Sequence, residues 1–155
     1  MLEISDMLSK YNYKVRNSKF FQEKMQKYID CLSNKNDIKA QYELGLTYFI
    51  LGNINKAIEY FTFAESQNYL NAQLILGEIY LGGKYVTRDI NKAILYFSHA
   101  ADQNDIKAQN NLGNFYFNQH DIKKAIKYYT KAVELGSSDA KDMLEELSNQ
   151  DSDDE

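Results

Sequence analysis

Apolar residues return along most of this chain at intervals of three and four, the mark of helices that bury one face, and no strand is predicted. Ala40, Leu44, Tyr48 and Leu51 form one such stripe and Ala57, Phe61 and Ala64 a second, which predicts a pair of helices. The pair then repeats. The hexapeptide Asn36-Asp37-Ile38-Lys39-Ala40-Gln41 recurs unchanged at Asn104-Asp105-Ile106-Lys107-Ala108-Gln109, with a weaker copy, Asn68-Tyr69-Leu70-Asn71-Ala72-Gln73, between them. A second signature follows each copy in phase: Asn53-Ile54-Asn55-Lys56-Ala57-Ile58, Asp89-Ile90-Asn91-Lys92-Ala93-Ile94 and Asp121-Ile122-Lys123-Lys124-Ala125-Ile126. Two signatures recurring in step over three units make a tandem array, and a period between 20 and 50 residues signals a solenoid.

The predicted organisation is an N-terminal helical cap over residues 1–36, three helix-turn-helix repeats within 37–138 (37–68, 69–104 and 105–136), a C-terminal capping helix over 137–148 and a disordered acidic tail, 149–155. Gly45, Gly77 and Gly113 stand inside the first helices, where glycine costs up to ~1 kcal/mol against alanine, so a closely packed partner helix must compensate. Ala57, Ala93 and Ala125 are the expected facing residues. Asn53, Asp89 and Asp121 are placed to cap the second helices. In the C-terminal cap Ala140, Met143, Leu144 and Leu147 share a face. In the N-terminal cap Phe21, Met25, Tyr28, Ile29 and Leu32 do so after the N-cap candidate Ser18, and Leu2, Ile4, Leu8, Tyr11 and Val15 suggest a weaker helix before it.

The middle unit reads Ala72, Leu76, Gly77, Tyr80, Gly82-Gly83, Val86, Asp89, Lys92-Ala93, Tyr96-Phe97, Ala100-Ala101 and Ala108. This pattern resembles the Sel-one-like repeat, a relative of the tetratricopeptide repeat. Units one and three shorten the inter-helix loop by four residues, to the tetratricopeptide length. The resemblance covers about residues 37–148. It implies an all-α, right-handed solenoid whose first helices line a concave groove, and its groove positions fall here on Tyr42, Leu46, Phe49, Leu74, Glu78, Leu81, Asn110, Asn114 and Phe117. Aromatic and leucine side chains there would anchor an apolar ligand residue, while Asn110 and Asn114, one helical turn apart, would hydrogen-bond an extended peptide backbone. The basic clamp by which some tetratricopeptide proteins hold a C-terminal carboxylate is not matched, since Tyr42, Leu46 and Ile75 stand where lysine or asparagine would be expected.

Composition narrows the function classes. A net charge of −4 gives no positive field for phosphates, so no nucleic-acid partner is expected. No apolar run reaches the ~18 residues of a membrane span, and no signal peptide is evident, so no membrane partner is expected and the chain reads as cytoplasmic, in a host cytoplasm if it is viral or an exported effector. The single Cys31 reads as an inert core thiol in a reducing compartment. Neither His99 nor His120 has a partner motif, two histidines without paired cysteines make a poor metal site, and the glycines around Gly77 and Gly82-Gly83 lack the strand and spacing of a phosphate loop. Cysteine-rich Sel-type proteins have been linked to β-lactam hydrolysis, but their cysteine pairs are missing here. Tyr60, Tyr96, Tyr128 and Tyr129, at helical spacing beside alanines, are expected to pack rather than to stack on bases.

No catalytic residue, metal or cofactor is therefore predicted. The expected function is that of a non-catalytic adaptor or scaffold that holds a protein or peptide in the concave groove. The alternatives are a structural module that self-assembles into homo-oligomers through its solenoid ends and, more remotely, an enzyme.

Overall fold

In the computed structural model, residues 18–33 and 37–152 are described. They form eight helices and no strand: α1 Lys19–Ser33, α2 Ile38–Ile50, α3 Ile54–Glu65, α4 Leu70–Gly82, α5 Ile90–Asp102, α6 Ile106–Asn118, α7 Ile122–Glu134 and α8 Ser138–Ser152. The chain divides into two compact units, Met1–Arg88 and Asp89–Glu155.

Each repeated signature is a helix start. The Asn53, Asp89 and Asp121 side chains accept from Lys56 N, Lys92 N and Lys124 N at 3.3, 3.0 and 3.2 Å, as expected. Ser18 Oγ accepts from Phe21 N in the same way. The hexapeptide is a second cap: Asp37 and Asp105 accept from Ala40 N and Ala108 N at 2.7 and 2.8 Å, giving orphan amides of the first turn a partner. The weaker copy has Tyr69 in that place, and α4 starts without a side-chain cap.

The turns also repeat. Gly52 and His120 end the first helices of repeats one and three with φ of 81° and 57°, and Asn68, Asn104 and Gly136 end the second helices with φ of 62°, 60° and 98°. The residue after each returns its N–H to a helix carbonyl, as Asn53 does to Tyr48 and Asp121 to Tyr116 at 2.9 Å. These are left-handed helix ends, a conformation cheap for glycine and tolerable for asparagine.

Within Met1–Arg88, Ile29, Ala40 and Leu44 form a buried cluster with Tyr48, Leu51 and Tyr60 against it. Within Asp89–Glu155, Ala125, Tyr129, Ala132, Ala140 and Leu147 do so, with Tyr116, Phe117, Ile122, Val133, Met143 and Leu144. Gly45 and Gly113 are close-approach positions, as expected, but their partners differ from the expected alanines. A Cβ on Gly45 would lie 2.5 Å from the Phe61 ring, and one on Gly113 would lie 2.5 Å from that of Tyr129. The facing residue is the aromatic ring one helical turn after Ala57 and Ala125. Tyr48 stacks on Tyr60 and Tyr116 on Tyr128, each at 5.4 Å, and Lys56 and Lys124 place their ammonium groups 4.9 Å from the ring centres of Tyr48 and Tyr116. Tyr60 and Tyr128 are thus packing residues. Lys124 also pairs with the capping Asp121 at 2.8 Å, and this hydrogen bond holds the carboxyl below its ordinary value.

The ends bring two corrections. In α1, Phe21 and Ile29 are buried, but Tyr28 is 43% exposed and Cys31 is exposed. Cys31 follows Ile29 by two positions, about 200° around the helix, which turns the thiol away from the core. At the other end, α8 runs four residues past the expected boundary, to Ser152. Glu145 to Gln150 contain neither glycine nor proline, so nothing local stops the helix. Leu2, Ile4, Leu8, Tyr11, Val15 and residues 153–155 lie outside the described residues.

Candidate functional site

The expected groove residues fall on three first helices: Tyr42, Leu46 and Phe49 on α2, Leu74, Glu78 and Leu81 on α4, and Asn110, Asn114 and Phe117 on α6. Steps of four and three put each trio on one face of its helix. The structure treats the members differently.

In the first unit Leu46, Glu78 and Leu81 are partly exposed. Tyr42 is partly buried, its ring tilted against Phe61 at 5.6 Å and Tyr69 at 5.1 Å. Burial pushes its phenol up to about 12, helped by Tyr69 and by Glu78, whose charge reaches Tyr42 from α4. Phe49 and Leu74, at 1% and 2% exposure, belong to the core and cannot meet a ligand as they stand. The reason for Phe49 is the longer loop of the middle repeat. Its Tyr85 ring packs edge-on against Phe49 at 4.9 Å. The loop is fixed by Gly83, at φ 64°, where a Cβ would meet Arg88 Cβ at 2.8 Å, and by Arg88 Nε, which donates to the Leu81 carbonyl at 3.1 Å. Gly82-Gly83 is thus a helix end, as expected.

In the second unit Asn110 exchanges hydrogen bonds with Ser137, donating at 2.9 Å and accepting at 3.2 Å, and Ser137 Oγ accepts from Ala140 N at the start of α8. Both ends of its carboxamide are engaged in structure. Asn114 is exposed, and its Oδ1 accepts from the Tyr129 hydroxyl at 2.7 Å. Phe117 is partly buried, packed on the Tyr129 cluster. Tyr85, Ser137 and Tyr129 are residues that the sequence did not single out for this face. The signal available for Tyr129 was its hydroxyl, since the same repeat position holds Phe61 and Phe97.

A titration follows from Tyr42. Its folded-state value lies above the ordinary 10.0, so its contribution to stability is complete below pH 10 and is lost as the pH rises toward about 12. Stability measured across that window should fall more steeply for wild type than for Tyr42→Phe; identical slopes would contradict the burial of this phenol.

Among the described residues no group of three or more His, Cys, Asp and Glu is arranged to hold a metal ion, and no helix is long and apolar enough to cross a membrane. His120 is exposed in its turn, and His99 is partly buried in the last turn of α5. Of the other exposed apolar side chains, Ile106 opens the first helix α6, while three lie on second helices: Phe63, beside a cavity of about 550 Å³ with Asp37, Ile38, Ser66 and Gln67, Leu95 and Ile126.

Comparison with known proteins finds three repeats in the chain. Residues 38–67 and 106–139 match tetratricopeptide repeat models, and residues 70–105 match the Sel1 repeat. No curated protein matches the sequence. Among solved structures, a protective antigen of uropathogenic Escherichia coli strains with an SLR fold is 31% identical over 72% of this chain, at a TM-score of 0.62. This chain spans 26% of that protein. A Sel1 repeat protein from Oxalobacter formigenes is 26% identical over 81% of this chain and 97% of its own, at 0.63. Helicobacter pylori cysteine rich protein B is 28% identical over 82% and 98%, at 0.57. Repeats of both kinds generally mediate protein–protein interactions and are typically non-catalytic. With such matches running through all three of its helix pairs, the chain is built of Sel1-like and tetratricopeptide repeats.

Proposed function

We propose that this protein is a non-catalytic adaptor that holds an extended peptide segment of a partner protein on the faces of its first helices. The observation that carries the reading is that, in the first unit, two partly exposed leucines, Leu46 and Leu81, share helix faces with Tyr42 and Glu78, whose charge reaches Tyr42. The leucines give a ligand side chain an apolar seat. Tyr42, neutral at physiological pH, and Glu78 offer polar partners to its backbone. In the second unit Asn114 and Phe117 set a carboxamide beside an apolar neighbour on one helix face. Asn110 is a support for α8 in this account rather than a ligand contact, and Phe49 and Leu74 hold the scaffold. The exposed Cys31 thiol accords with a reducing compartment, the cytoplasm.

The test is the affinity of peptides selected from a displayed random library on the full chain. Leu46→Ala and Leu81→Ala should each weaken them about tenfold, the ~1.4 kcal/mol of a modest interface anchor, with little change in melting temperature. Phe63→Ala, on a second helix, should bind as wild type does. The reverse pattern, with Phe63→Ala defective and both leucine variants intact, places the site elsewhere.

A further inference from the structure

We propose that Tyr129 is a positioning residue for the ligand face of the second unit: by donating to Asn114 Oδ1 it turns the carboxamide N–H pair to solvent, and so selects a peptide that offers a backbone carbonyl there. This rests on the peptide-binding reading and adds the chemistry of one contact to it. A carboxamide is planar, with oxygen and nitrogen on opposite sides of the same carbon. Holding the oxygen 2.7 Å from the hydroxyl of Tyr129, itself 1% exposed, leaves the nitrogen on the outer side. Asn114 is exposed, and its Nδ2 has no hydrogen-bond partner among the described residues. The Tyr129 phenol, raised above its ordinary value by burial and after it by the charge of Glu146, is protonated at neutral pH and so has a proton to donate.

The repeats supply an internal control. Tyr129 and Asn114 occupy the positions of Phe61 and Leu46 in the first repeat and of Phe97 and Glu78 in the middle one. Where the ring lacks a hydroxyl, the partner position holds no carboxamide; where the hydroxyl is present, it does. Packing does not require the hydroxyl, because Phe61 fills the place beside Gly45 just as Tyr129 fills that beside Gly113. The third repeat has therefore gained a hydrogen-bonded pair on an unchanged scaffold. The side of the carboxamide that stays free is a donor, complementary to a carbonyl and indifferent to an N–H.

Library-selected peptides, made with free and with amidated C-termini, are measured on the full chain and on Tyr129→Phe, Asn114→Ala, the double variant and Asn114→Asp, beside Leu46→Ala and Leu81→Ala. In parallel the Asn114 side-chain amide is followed by nitrogen-15 relaxation without ligand. Tyr129→Phe and Asn114→Ala should each weaken binding about tenfold and the double variant no further, the non-additivity of a coupled pair. Asn114→Asp keeps an acceptor for Tyr129 but presents no donor, so its melting temperature should hold while its binding falls as in Asn114→Ala. Amidation should change nothing, and the Asn114 amide, rigid in wild type, should become mobile in Tyr129→Phe. An amide equally mobile in both overturns the proposal whatever the library yields. Undiminished binding by Asn114→Asp removes the donor role, and loss of binding on amidation assigns the contact to a C-terminal carboxylate instead; either outcome overturns the assignment. Binding weakened by Leu46→Ala and Leu81→Ala but indifferent to Tyr129→Phe defeats this inference and leaves the peptide-binding reading standing, whereas indifference to every one of these variants defeats both.

Discussion

Phe49→Ala should destabilise the protein by about 3–5 kcal/mol, the range for deleting a buried phenylalanine, because the substitution leaves a cavity under Tyr85 that the fixed loop cannot close. From the sequence alone the opposite outcome is expected: a groove residue whose loss weakens binding and leaves the fold intact. The structure decides between them, since a side chain with 1% exposure has no face to offer a ligand. Against a typical total of 5–15 kcal/mol, such a loss populates the unfolded state measurably. A fall in the urea midpoint with an unchanged slope would report it. An unchanged midpoint would mean that Phe49 is not in the core.

The second large effect belongs to Gly113. Substitution by alanine gains up to ~1 kcal/mol of helix propensity, but the new methyl would sit 2.5 Å from the ring of Tyr129, which is enclosed and tied by its hydroxyl to Asn114. Overpacking of this kind costs ~1–3 kcal/mol, so Gly113→Ala should lose stability on balance and Gly113→Leu still more. Gly82→Ala is the control, since a Cβ there meets nothing within 4 Å and the propensity gain stands alone. Thermal melts of the two alanine variants should shift in opposite directions; a shift of the same sign in both would contradict the ring contact at Gly113.

Much of the architecture was legible in the chain because each repeat signature is a local device. Asn53, Asp89 and Asp121 cap the helices they begin, and a cap depends on three or four neighbouring residues. What the chain did not disclose is set by contacts between distant residues. The glycines demanded a close partner, but helical phase alone did not separate Ala57 from Phe61, one turn apart on the same stripe. The extra residues of the middle loop could be counted, yet that they bring Tyr85 onto Phe49 depends on where the loop folds. Cys31 read as a core thiol because a lone cysteine on an apolar helix is usually buried, yet it and the buried Ile29 lie on different sides of α1. Of the candidate face, Leu46, Glu78, Leu81 and Asn114 keep their exposure, while Asn110 is committed to Ser137 and Phe49 and Leu74 to the interior.

The central claim is that the first helices hold the ligand and the second helices form the scaffold behind them. Chemical-shift mapping of the labelled full chain with a library-selected peptide tests this most directly. The largest backbone changes should fall at Leu46, Glu78, Leu81, Asn114 and Phe117. Changes gathered instead around Phe63, Leu95 and Ile126, with those first-helix residues undisturbed, would contradict it.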